Sequence, residues 1–279
     1  MSFIPVPGVN EWADSYKFID LNTGIRMAYI EFGDAEKPPL VMVHGFSDTA
    51  RLGRITAAAL AEDYHIYAVD LRGHGLSDKP KRFAYTILQH AEDITDFIDQ
   101  MGIDKFYLVG QSMGGMISQT IAFTIPDRVI KLALVSTGAR FHHLPEELRE
   151  LDEMFTEYSS KIPALEEWYP EAKYIEDKEF YKHHYAELKK WPGYCWKAAW
   201  WGMELVDNTA FLQYITAPVI AFWGTADPIF TEKYQKEMQN LLPSAKYIFF
   251  ENQEHDLMSL VPNELGKHIK EFFRQTIIR

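Results

Sequence analysis

Residues 106–115 read Phe-Tyr-Leu-Val-Gly-Gln-Ser-Met-Gly-Gly, and what these ten positions can fold into decides the reading of the chain. Phe106 to Val109 is a short apolar run, such as a strand buried on both faces needs. A helical pattern opens just beyond and continues to Ile125, where Pro126 stops it. Between them stands Gly110-Gln111-Ser112-Met113-Gly114, a strand-to-helix turn in which small residues must flank the serine to avoid clashes. A serine hydroxyl is a poor nucleophile unless it is held exposed to a base. The helix N-terminus beneath Ser112 adds a positive dipole end and free backbone N–H groups where negative charge would develop. The bare five-residue pattern also suits a glycine-rich packing turn; the strand before it and the helix after it favour the nucleophile.

Working outward, the same grammar repeats. Leu40 to Val43, His65 to Asp70, Lys131 to Ser136, Val219 to Trp223 and Lys246 to Phe250 are further short apolar runs separated by helical segments. The clearest helix has Ile87, Ala91, Ile94, Ile98 and Met101 along one face, with Thr86 and Gln89 spaced as a capping box. Strands alternating with helices imply right-handed crossovers and a mostly parallel sheet covered on both sides, an α/β fold. Near the N-terminus, Tyr16 to Leu21 and Ile25 to Phe32 flank Asn22, Thr23 and Gly24 as an antiparallel hairpin.

One stretch breaks the alternation. Residues 139–215 contain no convincing strand, and Leu144, Leu148, Leu151 and Phe155 recur at three and four residues, with Pro145 placed for a first helical turn. We read 1–138 and 216–279 as the core domain and 139–215 as a helical cap inserted over one end of the sheet. The insert holds Trp168, Trp191, Trp196, Trp200 and Trp201, five of the seven tryptophans. A small cap needs bulky residues for its own core, but five are more than that demands. Trp168, Trp196, Trp200 and Trp201 are therefore candidate substrate-binding residues.

The bulk numbers narrow the partners. With 279 residues, 47% of them hydrophobic, the chain can bury a large core, and a net charge of −12 offers no basic stripe to phosphates or an anionic membrane. Nucleic acid and membrane are not expected partners; a small-molecule substrate is, with the protein a monomer or homodimer. A lone Cys195 fits a reducing compartment. Residues 1–15 lack a basic region followed by an apolar run, and no apolar stretch approaches about 18 residues. A cytoplasmic protein is the expectation.

The base for Ser112 must arrive from a later loop. His255 follows the last expected strand by a short loop, so it emerges at the same carboxyl edge of the sheet as Ser112. The adjacent pairs His142 with His143 and His183 with His184 lie in the insert and lack the spacing of metal ligands. A third group must hold the imidazole's tautomer. Asp227, in Gly224-Thr225-Ala226-Asp227-Pro228 after the strand at 219–223, suits the order Ser, Asp, His, although Asp-Pro is also a common turn pair. Glu254 and Asp256 adjoin His255 but are expected to diverge from it. For the oxyanion, the backbone N–H of Met113 is one donor, and Phe46, in His44-Gly45-Phe46-Ser47 after Leu40 to Val43, is the candidate for the second. His74, in Asp70-Leu71-Arg72-Gly73-His74-Gly75, reads as part of a structured loop.

Together these residues resemble the α/β-hydrolase family over almost the whole chain, from about Tyr16 to Phe273. The resemblance rests on His44-Gly45 after a strand, Asp70 with Arg72-Gly73-His74-Gly75, the elbow Gly110 to Gly115, Gly224 with Asp227, and His255, all in the family order. It implies an eight-stranded sheet, a cap inserted after the sixth strand, a triad of Ser112, Asp227 and His255, an oxyanion hole from Phe46 and Met113, and no cofactor or metal. Serine at the nucleophile argues against the epoxide hydrolase and haloalkane dehalogenase branches, which use aspartate there. Glu254 stands where a glycine often precedes the histidine. The triad together with the tryptophans of the insert points to an ester or lactone hydrolase of a moderately bulky, largely apolar substrate. Carbon–carbon bond hydrolases, cofactor-free perhydrolases and a hydrolase-like binding protein with little turnover are the alternatives.

Overall fold

The computed structural model describes residues 5–81, 85–142, 188 and 190–275. Eight strands form one sheet in the order β1-β2-β4-β3-β5-β6-β7-β8. They are β1 Tyr16–Asp20, β2 Arg26–Phe32, β3 Pro39–Val43, β4 His65–Val69, β5 Phe106–Gln111, β6 Val129–Val135, β7 Val219–Gly224 and β8 Lys246–Phe250. The apolar runs read from the sequence are these strands to within about two residues. β1 and β2 make the expected antiparallel hairpin, with Gly24 at φ +85° in its turn. β2 also runs antiparallel to β4, whereas every pairing from β4 through β3, β5, β6 and β7 to β8 is parallel.

This order creates the crevice that a ligand needs. β3 lies between β4 and β5, so the chain leaves β3 towards one edge and later returns past it towards the other. The loops after β3 and β5 therefore part at the carboxyl edge, the usual ligand position in open α/β sheets.

Period-2 alternation separates two cores. Leu40 and Met42 of β3 face a layer with Trp12 of helix α1 (Val9–Asp14), Ala57 and Leu60 of α2 (Arg54–Leu60), and Leu265, Ile269 and Phe272 of the C-terminal helix 262–274. Val41 and Val43 face the other layer, with Ile94, Phe97 and Ile98 of α3 (Ile87–Gln100) and Met116, Ile117 and Ile121 of α4 (Met113–Thr124). Each fully buried Val, Leu, Ile, Met or Phe side chain among them contributes about 1.5–3 kcal/mol. The start of α3 corrects one detail: the Thr86 hydroxyl accepts from Gln89 N at 3.1 Å, but the Gln89 amide donates to Glu92 rather than returning to Thr86, so only half of the capping box forms.

Within 139–215 the described residues include helix α5 (Gly193–Glu204) and a 3-10 turn at Leu212–Tyr214. The pattern over Leu144 to Phe155, with Pro145, and Trp168, His143, His183 and His184 lie outside the described residues. The two ends of the stretch are tied together: Asn208 N donates to Ala139 O at 2.8 Å, and Arg140 pairs with Asp207 as an isolated bridge. The Asn208 side chain also donates to Met116 O at 3.1 Å, fastening the exit of the stretch to α4. Beyond it follow α6 (Glu232–Leu241), α7 (Leu257–Leu260) and α8 (Pro262–Arg274). No helix among the described residues is long and apolar enough to cross a membrane.

Candidate active site

The elbow is a tightly constrained turn. Ser112 stands at φ +52°, a left-handed conformation that a non-glycine residue keeps only when its surroundings impose it. They do so through the backbone: Ser112 N donates to Val135 O at 2.9 Å, and Ser112 O accepts from Thr137 Oγ1 at 2.7 Å and Gly115 N at 2.9 Å. The glycines are required by close approach. A Cβ on Gly110 would collide with Ser118 and Gly114, and one on Gly114 with the carbonyls of Val43 and His44.

Three loops bring the expected groups together. His255, between β8 and α7, places Nε2 3.0 Å from Ser112 Oγ. Its Nδ1 lies 3.0 Å from Asp227 Oδ2. Asp227 lies in the loop after β7, and its Oδ1 accepts from Ile229 N at 2.8 Å and Phe230 N at 3.0 Å. One oxygen of Asp227 thus holds the turn and the other faces the imidazole. A carboxylate only accepts, so the proton sits on Nδ1 and leaves Nε2 free to accept from the serine hydroxyl. The Phe230 ring stacks on His255 at 5.8 Å. Asp256 diverges as expected, its Oδ1 accepting from Gln111 Nε2 at 3.0 Å.

Met113 opens α4 directly after Ser112 and is fully buried, with its N–H in the helix's first turn, where no intrahelical acceptor exists. Phe46 lies in the loop after β3. Its neighbour Gly45 runs against the elbow: a Cβ there would sit 3.3 Å from Ser112 Cβ and 2.8 Å from Asp48 Oδ2. The Phe46 ring is buried edge-on against Trp196 at 5.2 Å and Trp200 at 5.7 Å, which share a face of α5. Phe141 continues the row, 5.4 Å from Trp200 and 5.4 Å from Phe230. An unbroken aromatic wall therefore runs from α5 to His255. Trp201, half-buried, lies about 100° round the helix from Trp200.

Several residues here were not singled out from the sequence. Phe141 and Phe230 are single aromatics beyond strand ends, with no pattern to mark them. Asp48 is fully buried beside Gly45, and burial, then the charge of Asp256, pushes its carboxyl well above the usual range. Burial also raises Asp256. His74 is buried, its ring edge-on against Trp191 at 4.7 Å. Its pKa is pulled down to about 3 by burial and then by His44.

Comparison with known proteins agrees with this architecture. A family model described as alpha/beta hydrolase fold matches residues 38–201, more than half of the chain. The chain is 33% identical over 144 residues to Epoxide hydrolase 4 of Homo sapiens, an alignment covering 51% of this chain and 36% of that protein. It is 35% identical over 121 residues to Haloalkane dehalogenase 2 of Mycobacterium tuberculosis, covering 43% and 41% respectively. The matched region thus spans well under half the length of either relative. Among solved structures, the enol-lactonase from Burkholderia xenovorans LB400 superposes with a TM-score of 0.82 at 19% identity, covering 93% of this chain and all of that one.

Proposed function

The chain belongs to the α/β hydrolase fold family, and on that premise we propose that it is a serine hydrolase. Its substrate is a carboxylic ester or lactone with a moderately bulky, apolar or aromatic part, cleaved through an acyl-enzyme. The observation that carries the reading is the chain of contacts Asp227–His255–Ser112, each link 3.0 Å. His255 takes the hydroxyl proton as Ser112 Oγ bonds to the carbonyl carbon, and Asp227 stabilises the imidazolium. The backbone N–H groups of Phe46 and Met113 receive the oxyanion. Collapse of the tetrahedral adduct breaks the bond to the leaving alkoxide, which takes the proton from His255. Water, deprotonated by the same histidine, then attacks the acyl-enzyme and restores Ser112. The aromatic wall of Phe46, Trp196, Trp200 and Phe141 supports an apolar substrate; Trp168 and Trp201 are proposed to extend it. The stretch 139–215 serves as the cap over a core of 1–138 and 216–279.

The named relatives point to other substrates, and the nucleophile separates them. Opening an epoxide or displacing a halide at a saturated carbon with a carboxylate leaves an ester that water can hydrolyse. Serine would leave an ether with no carbonyl to attack. We therefore favour acyl chemistry over the relatives' named activities. The test is turnover of a panel of aryl esters, lactones, epoxides and haloalkanes. Hydrolysis of esters or lactones that is lost in Ser112→Ala supports the reading; epoxide or haloalkane turnover by the wild type, or ester turnover undiminished in that variant, overturns it.

A further inference from the structure

Two buried histidines hold successive carbonyls of the loop that carries Phe46. The His44 ring accepts from Leu71 N at Nε2, 3.0 Å, so its single proton is on Nδ1, and Nδ1 lies 2.7 Å from Gly45 O. His74 Nε2 lies 2.8 Å from the next carbonyl, Phe46 O. In a trans peptide the C=O of one residue and the N–H of the next point in opposite directions. Fixing Gly45 O against His44 therefore fixes the Phe46 N–H to the opposite side, and fixing Phe46 O sets the following peptide plane. Both rings are nearly sealed from solvent and lie 5.1 Å apart, so neither turns freely.

We propose that His44 and His74 form a clamp that aims the Phe46 N–H at the oxyanion, making them positioning residues for catalysis rather than loop filling. This rests on the serine-hydrolase reading of Ser112. The loop alone has no reason to keep that orientation: Gly45 is the residue most able to let a peptide plane rotate. A hydrogen bond onto Gly45 O also polarises the same peptide group and makes its N–H a stronger donor. The Leu71 N–H adds a second layer of control, because it selects the His44 tautomer that can donate to Gly45. For His74 the working tautomer carries its proton on Nε2, although Nδ1 also lies 2.8 Å from Arg72 O. A neutral ring donates to one carbonyl at a time, and the clamp requires the choice of Phe46.

The test compares ester and thionoester forms of one substrate, because sulfur is a weak acceptor and gains little from an oxyanion hole. In His44→Leu and His74→Leu the ester kcat should fall by about tenfold to a hundredfold, with KM little changed, while the thionoester rate falls much less. His44→Asn and His74→Gln, which return a donor N–H near Nδ1 and Nε2 respectively, should recover most of the loss. Nitrogen-15 shifts of the rings in the wild type should report His44 protonated on Nδ1 and His74 on Nε2. Equal falls for both substrates, or the opposite tautomer at His44, would overturn the clamp. Absence of ester turnover in the wild type would instead overturn the reading of Ser112, and the clamp's catalytic role with it.

Discussion

Replacing His90 by leucine should make the protein more stable, and the gain should grow as the pH falls. His90 lies on α3, has no solvent exposure, and neither ring nitrogen has a hydrogen-bond partner among the described residues. Burial, then the nearby His74 and Arg72, holds its pKa well below the ordinary range. A neutral imidazole brings one donor and one acceptor, and each left unmade inside a protein costs about 1–3 kcal/mol. Leucine removes both at nearly the same volume, a gain larger than a repacking cost below about 1.5 kcal/mol. The pH term follows from linkage. A histidine whose folded pKa is depressed binds its proton more readily in the unfolded chain, so stability present above about pH 6.5 is lost as the pH falls below it. A ring that stays neutral in the fold loses about 1.4 kcal/mol per pH unit, so about 2 kcal/mol is gone by pH 5. Urea denaturation of wild type and His90→Leu at pH 8, 6.5 and 5 measures this. The stability difference should widen by about 2 kcal/mol between pH 8 and pH 5. A constant difference across that range would refute the reasoning.

Two further substitutions probe the acids around the site. Asp227→Asn should keep the fold but lower ester kcat by about 10³- to 10⁴-fold, by analogy with serine proteases, because an amide does not hold the imidazole in the productive tautomer; a loss of less than tenfold would move the acid role elsewhere. Asp48→Asn should raise the melting temperature more at pH 8 than at pH 5. A carboxyl whose folded pKa is raised costs stability as the pH climbs from its unfolded value, near 3.9, through its folded one, and asparagine removes that cost. An equal shift at both pH values would contradict the assignment.

The sheet was legible because each buried strand must be an apolar run, and the runs at 40–43, 65–70 and 106–109 have no other reading between helices. Ser112, Asp227 and His255 were legible because topology alone delivers the ends of β5, β7 and β8 to one edge. The parts that stayed hidden depend on distance. Nothing in the spacing of Asp48 and Asp256 says that they fall into one buried region. Nothing in Arg72-Gly73-His74 says that its imidazole reaches the Phe46 carbonyl. Phe141 and Phe230 line the wall through loop placement, which periodicity does not encode. At Gln89 the local rule yielded to a competing partner, Glu92, one turn further along the same helix. Lys131 shows the reverse case: a cation inside an apolar run is kept there because its ammonium donates to Phe272 O at 2.7 Å and Gln275 O at 2.6 Å, closing the end of α8.

The most direct measurement is the site of covalent modification by a fluorophosphonate. The account predicts one adduct per chain, mapped by peptide mass to Ser112, absent in Ser112→Ala and formed at least about a hundredfold more slowly in His255→Ala. A folded wild-type protein that takes up no label, or takes it elsewhere, would contradict it.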